Sequence, residues 1–302
     1  MPGLLEAKNL TKRYGSTTAL ESATFEVHEG VTGLLGPNGA GKSTAIKLFL
    51  GLIKPTSGSV AVMGLAPYES VTARTRLGYM PEHETLPTNV SASEFLMHMA
   101  QVSGLPPGQA RTRAADILRH VGLDEERYRP IGGYSTGMRQ RVKLAQALVH
   151  DPVLVLLDEP TAGLDPEGRE EMLDLVNRTA KEFGISIMLS THLMGDVERT
   201  ADRVIVLEGG QVTEQGAVDQ YTQETETLII ELEEGREAVL SDLIRRGMKV
   251  ETKDNFLMVE NAGEAEYDAI RDAIADAGAR LRRLSPTRHT LTDIFRGERA
   301  DG

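Results

Sequence analysis

Gly36-Pro37-Asn38-Gly39-Ala40-Gly41-Lys42-Ser43 lies between an apolar run ending at Leu35 and a helical pattern over Thr44 to Leu52. A glycine-rich turn that closes a strand and opens a helix, with Lys-Ser at its end, is a phosphate loop (P-loop). Its glycines let backbone N–H groups wrap the β- and γ-phosphates of a nucleotide, and the helix N-terminus adds the positive end of its dipole. In that frame Lys42 supplies a cation to the phosphates and Ser43 a hydroxyl ligand for Mg²⁺.

Around this loop the chain reads as α/β. From Leu4 to about Glu214, short apolar runs alternate with helical patterns, the mark of a largely parallel sheet. Val31 to Leu35, Val153 to Leu157, Ile185 to Leu189 and Val204 to Leu207 have the composition of buried strands. Between Pro87 and Gly122 the pattern turns helical, with Ser93 to Ser103 and Gln109 to Val121 parted by Gly104-Leu105-Pro106-Pro107. A helical subdomain over about residues 83–150 is expected. Gly209-Gly210 reads as a hairpin turn and the polar stretch 216–224 as a linker. Residues 225–302 then follow the order strand, helix, strand, strand, helix, strand, a small α/β domain. Tyr267, Ile270, Ile274 and Ala277 are expected on one side of its second helix, with a short last helix carrying Leu291, Ile294 and Phe295.

Composition narrows the function classes. The 302 residues carry 33 basic and 45 acidic side chains, a net charge of −12. That balance argues against a partner held by a broad basic surface, so no nucleic acid is expected. The segment after residue 220 holds 12 basic and 18 acidic residues, so it is not a basic arm. Cysteine is absent, which removes disulfides, thiolate metal sites and thiol nucleophiles. The seven histidines have no metal-site spacing. No apolar run reaches the ~20 residues that span a bilayer, and residues 1–11 lack a signal-peptide pattern. A cytoplasmic location is expected.

Two further motifs carry chemistry. Val153 to Leu157 ends in Asp158-Glu159, two carboxylates at the carboxyl edge of a parallel sheet, where ligands of such folds bind. Asp158 is expected to hold Mg²⁺ through its water shell, and Glu159 to orient the attacking water or accept its proton. Ile131-Gly132-Gly133-Tyr134-Ser135-Thr136-Gly137-Met138-Arg139-Gln140-Arg141 precedes a helix with Ser135 as its N-cap. Gly133 to Gly137 also fits the Gly-x-Ser-x-Gly elbow of serine hydrolases. An elbow needs a strand directly before it, and Asp124 to Gly133 is charged and rich in Pro and Gly.

The phosphate loop, the Ser135 segment, Asp158-Glu159, Ala162-Gly163-Leu164-Asp165 and Ser190-Thr191-His192, in that order, resemble the ATP-binding cassette (ABC) ATPases, the nucleotide-binding subunits of ABC transporters. The resemblance covers residues 4–215. It implies a P-loop ATPase core with a largely parallel sheet and a helical subdomain, which the small C-terminal α/β domain read above follows. It implies ATP and Mg²⁺ as cofactors and two cassettes closing head to tail, as a homo- or heterodimer. ATP would lie between Gly36 to Thr44 of one subunit and Ser135, Thr136, Gly137 and Met138 of the other. By the same resemblance Tyr14 stacks on adenine, His192 approaches the γ-phosphate beside Glu159 and Lys42, and Asp165 lies in the loop joining the two sites.

Glu82, in Gly78-Tyr79-Met80-Pro81-Glu82, stands where the family usually has Gln, and joins Ser43 and Asp158 as a metal-site residue. The signature lacks the usual leading Leu, second Gly and closing Gln. These variants, and the tail from Thr225 to Arg296, resemble the branch that exports drugs, antibiotics or polysaccharides. A transmembrane permease on a separate chain is the implied partner, with this chain on the membrane's cytoplasmic face. Importer ATPases and non-transport members serving translation or genome maintenance share the same core motifs. Translation members usually carry two cassettes per chain, and genome-maintenance members insert long coiled coils that residues 44–134 lack.

Overall fold

Val31–Leu35, Leu154–Asp158 and Ser186–Thr191 are buried at every residue, because each is a central strand of a sheet covered on both faces. The computed structural model describes residues 3–83, 86–222, 224–253, 256–260, 264–288 and 291. The chain divides into two compact units, Met1–Val218 and Asp219–Gly302.

The first unit opens with β1 (Leu5–Tyr14) and β2 (Thr17–Val27), followed by β3 (Val31–Leu35), α1 (Lys42–Phe49), β4 (Ser57–Val62), α2 (Val71–Thr75) and β5 (Leu77–Met80). Three helices come next, α3 (Ala92–Val102), α4 (Pro107–His120) and α5 (Thr136–Leu148). The unit then alternates β6 (Leu154–Asp158), α6 (Pro166–Phe183), β7 (Ser186–Thr191), α7 (Met194–Thr200), β8 (Arg203–Glu208) and β9 (Gln211–Ala217). One sheet has the order β5-β6-β7-β3-β8-β9. Its pairs are parallel up to β8, and β9 returns antiparallel through Gly209-Gly210. Both glycines have positive φ, 55° and 86°, as a two-residue hairpin requires.

A second, antiparallel sheet of order β2-β1-β4 departs from the expected simple alternation. The first 27 residues hold two long strands joined by a turn at Gly15, so they pair locally with each other before the parallel sheet begins. Phe25 of β2 meets Phe49 of α1 edge to face at 5.8 Å. Leu34, Ile46, Leu154 and Leu156 complete the core on that side of the parallel sheet.

The other face is covered by the helical part. Leu96, Ala100, Ile117, Leu118, Val142 and Leu148 pack with Val155, Leu157 and Leu189 of the sheet. Ser91 accepts from the Glu94 N–H, and Glu94 accepts from the Ser91 N–H, a capping box that starts α3. Pro107 occupies the first turn of α4, where its missing N–H costs nothing.

Over the stretch read as a linker, Gly216 and Ala217 finish β9, and Val218–Tyr221 form the one-turn α8. The Val218 N–H donates to the Asp202 carbonyl at 2.9 Å, which extends order past the expected boundary. The second unit runs β10 (Glu224–Glu234), α9 (Arg236–Arg245), β11 (Val250–Lys253), β12 (Phe256–Val259), α10 (Glu264–Asp276) and β13 (Arg280–Arg288). Its antiparallel sheet has the order β11-β12-β10-β13, the split β-α-β arrangement. Leu228, Ile230, Val239, Leu243, Ile270 and Ile274 form its core. Tyr267, expected on the buried side of α10, sits in the first turn and is 47% exposed. Ile294 and Phe295 lie outside the described residues. Among the described residues no helix is long and apolar enough to cross a membrane.

Leu156 is 0% exposed in a central strand. Leu156→Ala should lose about 2–5 kcal/mol of stability through lost transfer energy and a residual cavity, read as a lower urea midpoint by circular dichroism.

Candidate functional site

The site is set by strand register. Leu35 pairs with Thr191 and Asp158 with Ser190. The phosphate loop, Glu159 and His192 therefore all leave the sheet at one edge. Gly41 caps α1 at φ 105°, and a Cβ there would come within 2.4 Å of the Ala19 carbonyl oxygen. At Gly36 a Cβ would meet the Leu207 carbonyl oxygen at 2.3 Å. Only glycine lets the loop pack this closely on its neighbours.

Lys42 is buried, and its Nζ donates to the carbonyls of Gly36 at 2.7 Å and Pro37 at 3.3 Å. The same ammonium lies 3.1 Å from Glu159 Oε1. Glu159 Oε2 is 3.0 Å from His192 Nδ1. An ionised carboxylate can only accept, so Nδ1 carries the proton of that bond. Glu159 is a non-glycine residue with φ 48°, a conformation that persists only where surrounding contacts impose it. Its N–H donates to both the carbonyl and the hydroxyl of Ser190.

Ser43 Oγ donates to Asp158 Oδ1 at 3.2 Å, and Ser190 Oγ donates to the same oxygen at 2.6 Å. A pocket of about 290 Å³ is lined by Ala19, Asn38, Gly39, Gly41, Lys42, Ser43, Thr44, Glu82 and Glu159. Glu82 reaches it from the segment after β5, where Lys143 Nζ of α5 donates to the Pro81 and Glu82 carbonyls, each at 2.8 Å. Ala40, within the loop, is buried, its N–H donating to the Pro37 carbonyl. Tyr14 closes β1 outside this lining, 46% exposed, with Lys12 Nζ 5.1 Å from its ring centroid.

A second group gathers elsewhere. Ser135, Thr136 and Gly137 line a pocket of about 550 Å³ with Gly163, Leu164 and Asp165. It shares no lining residue with the first pocket. Met138 contributes its N–H to Ser135 Oγ at 3.3 Å, which caps α5. Asp165 Oδ1 accepts from the Gly168 N–H at 2.9 Å and caps α6. The hydrolase elbow finds no support. A 3₁₀ turn, Ile131–Gly133, precedes Ser135 in place of a strand.

The family model described as ABC transporter matches residues 20–162. An uncharacterised ABC transporter ATP-binding protein of Bacillus subtilis, YxlF, is 36% identical over 76% of this chain and 76% of its own length. The chain belongs to the ABC transporter ATP-binding proteins. A second relative of this ABC ATPase is the daunorubicin resistance ATP-binding protein DrrA3 of Streptomyces coeruleorubidus. It is 32% identical over 94% of this chain and 92% of its own. Among solved structures, cbiO1 of Clostridium perfringens, part of the cbiONQ transporter complex, covers 73% of this chain and 90% of its own at TM-score 0.66 and 31% identity. The ATP-binding cassette MJ0796, solved as a dimer in a post-hydrolysis state with ADP and Pi, covers 70% and 98% at TM-score 0.64 and 26% identity. The resemblance carried by the ordered motifs, its α/β P-loop fold and ATPase activity thus hold for this chain.

Two sets of contacts in the ABC ATPase site escape sequence reading, those of Ser190 and those of Lys143. Ser190 binds Asp158 only because β6 and β7 lie side by side in this register. Lys143 gives no pattern signal, since its contacts lie 61 and 62 residues away.

Tyr79 of β5 has its pKa pushed up to about 12, first by burial and then by the negative charges of Asp158 and Glu82. A raised folded-state value means this stabilising contribution is complete below pH 10.0 and is lost as pH rises through about 12. Ultraviolet titration should show a phenolate component near pH 12. That component should disappear in Tyr79→Phe and shift downward in Asp158→Asn.

Proposed function

We propose that this ABC ATPase binds ATP with Mg²⁺, closes on a second copy of itself around the nucleotide, and drives export through a separate membrane-spanning protein at the cytoplasmic face. The observation that carries the reading is the convergence of Lys42, Ser43, Asp158, Glu159 and His192 at one sheet edge.

Lys42 and the N–H groups of residues 36–44 would cradle the phosphates, as backbone donors at a helix start do. Ser43 and Asp158 share a hydrogen bond at 3.2 Å with Glu82 lining the same pocket. This all-oxygen set suits Mg²⁺, which takes one or two carboxylates and completes its shell with water and phosphate. Held by Ser43, Asp158 and Glu82, Mg²⁺ would supply positive charge to the nucleotide's phosphates. Glu159 holds the attacking water at a carboxylate oxygen and accepts its proton there. His192 Nδ1–H orients the Glu159 carboxylate through its 3.0 Å bond.

Ser135 and Gly137, at the start of α5, would meet the partner copy's γ-phosphate, using a helix N-terminus to face an anion. Tyr14 would stack on the base. Export is favoured by the drug-resistance relative, which extends across both units of the chain. The second unit would support dimerisation, and the α3 to α5 part would receive the membrane protein, with specificity residing in that other chain.

Glu159→Gln should lower ATP turnover by roughly 10² to 10⁴ while ATP binding persists, measured by phosphate release and calorimetry. Tagged Glu159→Gln protein with ATP, recovered from detergent-solubilised native membranes, should bring a polytopic membrane protein with it. Undiminished turnover, or ATP-dependent recovery of soluble partners alone, contradicts the proposal.

A further inference from the structure

Asp196, in the first turn of α7, is 0% exposed and lies outside both pockets. Both of its carboxylate oxygens accept hydrogen bonds. Oδ2 accepts from Thr161 Oγ1 at 2.8 Å and from Thr191 Oγ1 at 3.0 Å, and Oδ1 accepts from Arg169 Nε at 2.5 Å. A buried carboxylate is costly unless it is paired and hydrogen-bonded. Here each bond reaches a different segment of the ATPase site.

Thr161 lies two residues after Glu159, on the turn closed by the Ala162 N–H donating to the Glu159 carbonyl. Thr191 immediately precedes His192, and its Oγ1 also accepts from the Leu193 N–H at 3.1 Å. Arg169 is one helical turn beyond Asp165, and its N–H donates to the Asp165 carbonyl. The Thr161 turn is held from its other side as well, since Gln140 Nε2 of α5 donates to the Ala162 carbonyl at 2.9 Å. One carboxylate therefore joins the segment after β6, the end of β7 and the start of α6.

We propose that Asp196 is a positioning residue that fixes the Glu159–His192 pair and ties it to the Asp165 end of α6. It touches neither nucleotide nor water. Its effect comes through the geometry of groups that do, where misplacement by about 1 Å can cost on the order of 10² in rate. Because three segments share one anion, a shift of the Asp165 loop is transmitted through Arg169 and Asp196 to the Thr161 and Thr191 hydroxyls. This inference rests on Glu159 being the residue that acts on water.

The test is steady-state ATP hydrolysis by the full chain. Asp196→Asn preserves volume but offers only one accepting atom, so either Arg169 or the two hydroxyls must face an N–H₂ group. Thr161→Val and Thr191→Val keep the shape and remove one donor each, whereas Thr161→Ser and Thr191→Ser keep the hydroxyl. The Asn and Val variants should lose about tenfold or more in kcat, with KM for ATP changed less than about twofold. The Ser variants should stay within about twofold of the parent. Adding Thr161→Val to Asp196→Asn should cost little more, since both break one network. The Val variants keep the proposal testable if Asp196→Asn fails to fold. Unchanged kcat in the Val variants, or equal losses in Val and Ser variants, overturns the positioning role while Glu159→Gln remains inactive. Full turnover in Glu159→Gln would instead overturn the reading beneath it.

Discussion

The carboxylate of Glu159 is held between a lysine that opens α1 after β3 and a histidine that follows β7, and the rest of the first unit serves that juxtaposition. Lys42 stands 3.1 Å from one oxygen and His192 3.0 Å from the other. Neither contact is possible unless β3, β6 and β7 end together, which their parallel register ensures. These strands are buried at every residue between two covered faces, and their parallel backbone pairing holds that register. Stability and chemistry are thus linked through Leu156, Leu157 and Leu189, none of which touches the pocket.

A single chain carries two chemically complementary features in separate places. The Lys42 pocket supplies a cation, a hydroxyl and carboxylates, whereas the Ser135 pocket offers a helix start and small residues. Asp165 lines the second pocket and caps the helix that carries Arg169. The buried Asp196 hydrogen bonds to Thr161, Thr191 and Arg169 form the route proposed between them. In the proposed dimer, coupling of nucleotide chemistry to closure would run through these hydrogen bonds.

Much of this is legible in the sequence. The phosphate loop, the Asp158-Glu159 pair, the buried runs and the six-element order of the second unit are local patterns, and local patterns survive in sequence. Contacts created by register were not legible. Ser190 bridging Asp158 to the Glu159 backbone, Lys143 gripping the Glu82 segment and Asp196 gathering three segments all join residues far apart in the chain. The N-terminal antiparallel sheet was also missed, because hairpin pairing of β1 with β2 leaves the same apolar runs that a parallel strand would. The end of β9 and α8 occupy part of the polar stretch 216–224, where the Val218 N–H bonds to the Asp202 carbonyl.

The most direct test of a site shared between two copies is complementation by two inactive chains. Lys42→Ala disables the phosphate loop and Ser135→Arg obstructs the signature pocket, so each protein alone should lose hydrolysis. Mixed in equal amounts, their heterodimer has one site built from an intact loop and an intact signature, and activity should recover to a substantial fraction of the parent. A mixture no more active than the sum of its parts, with both proteins folded, would contradict the account.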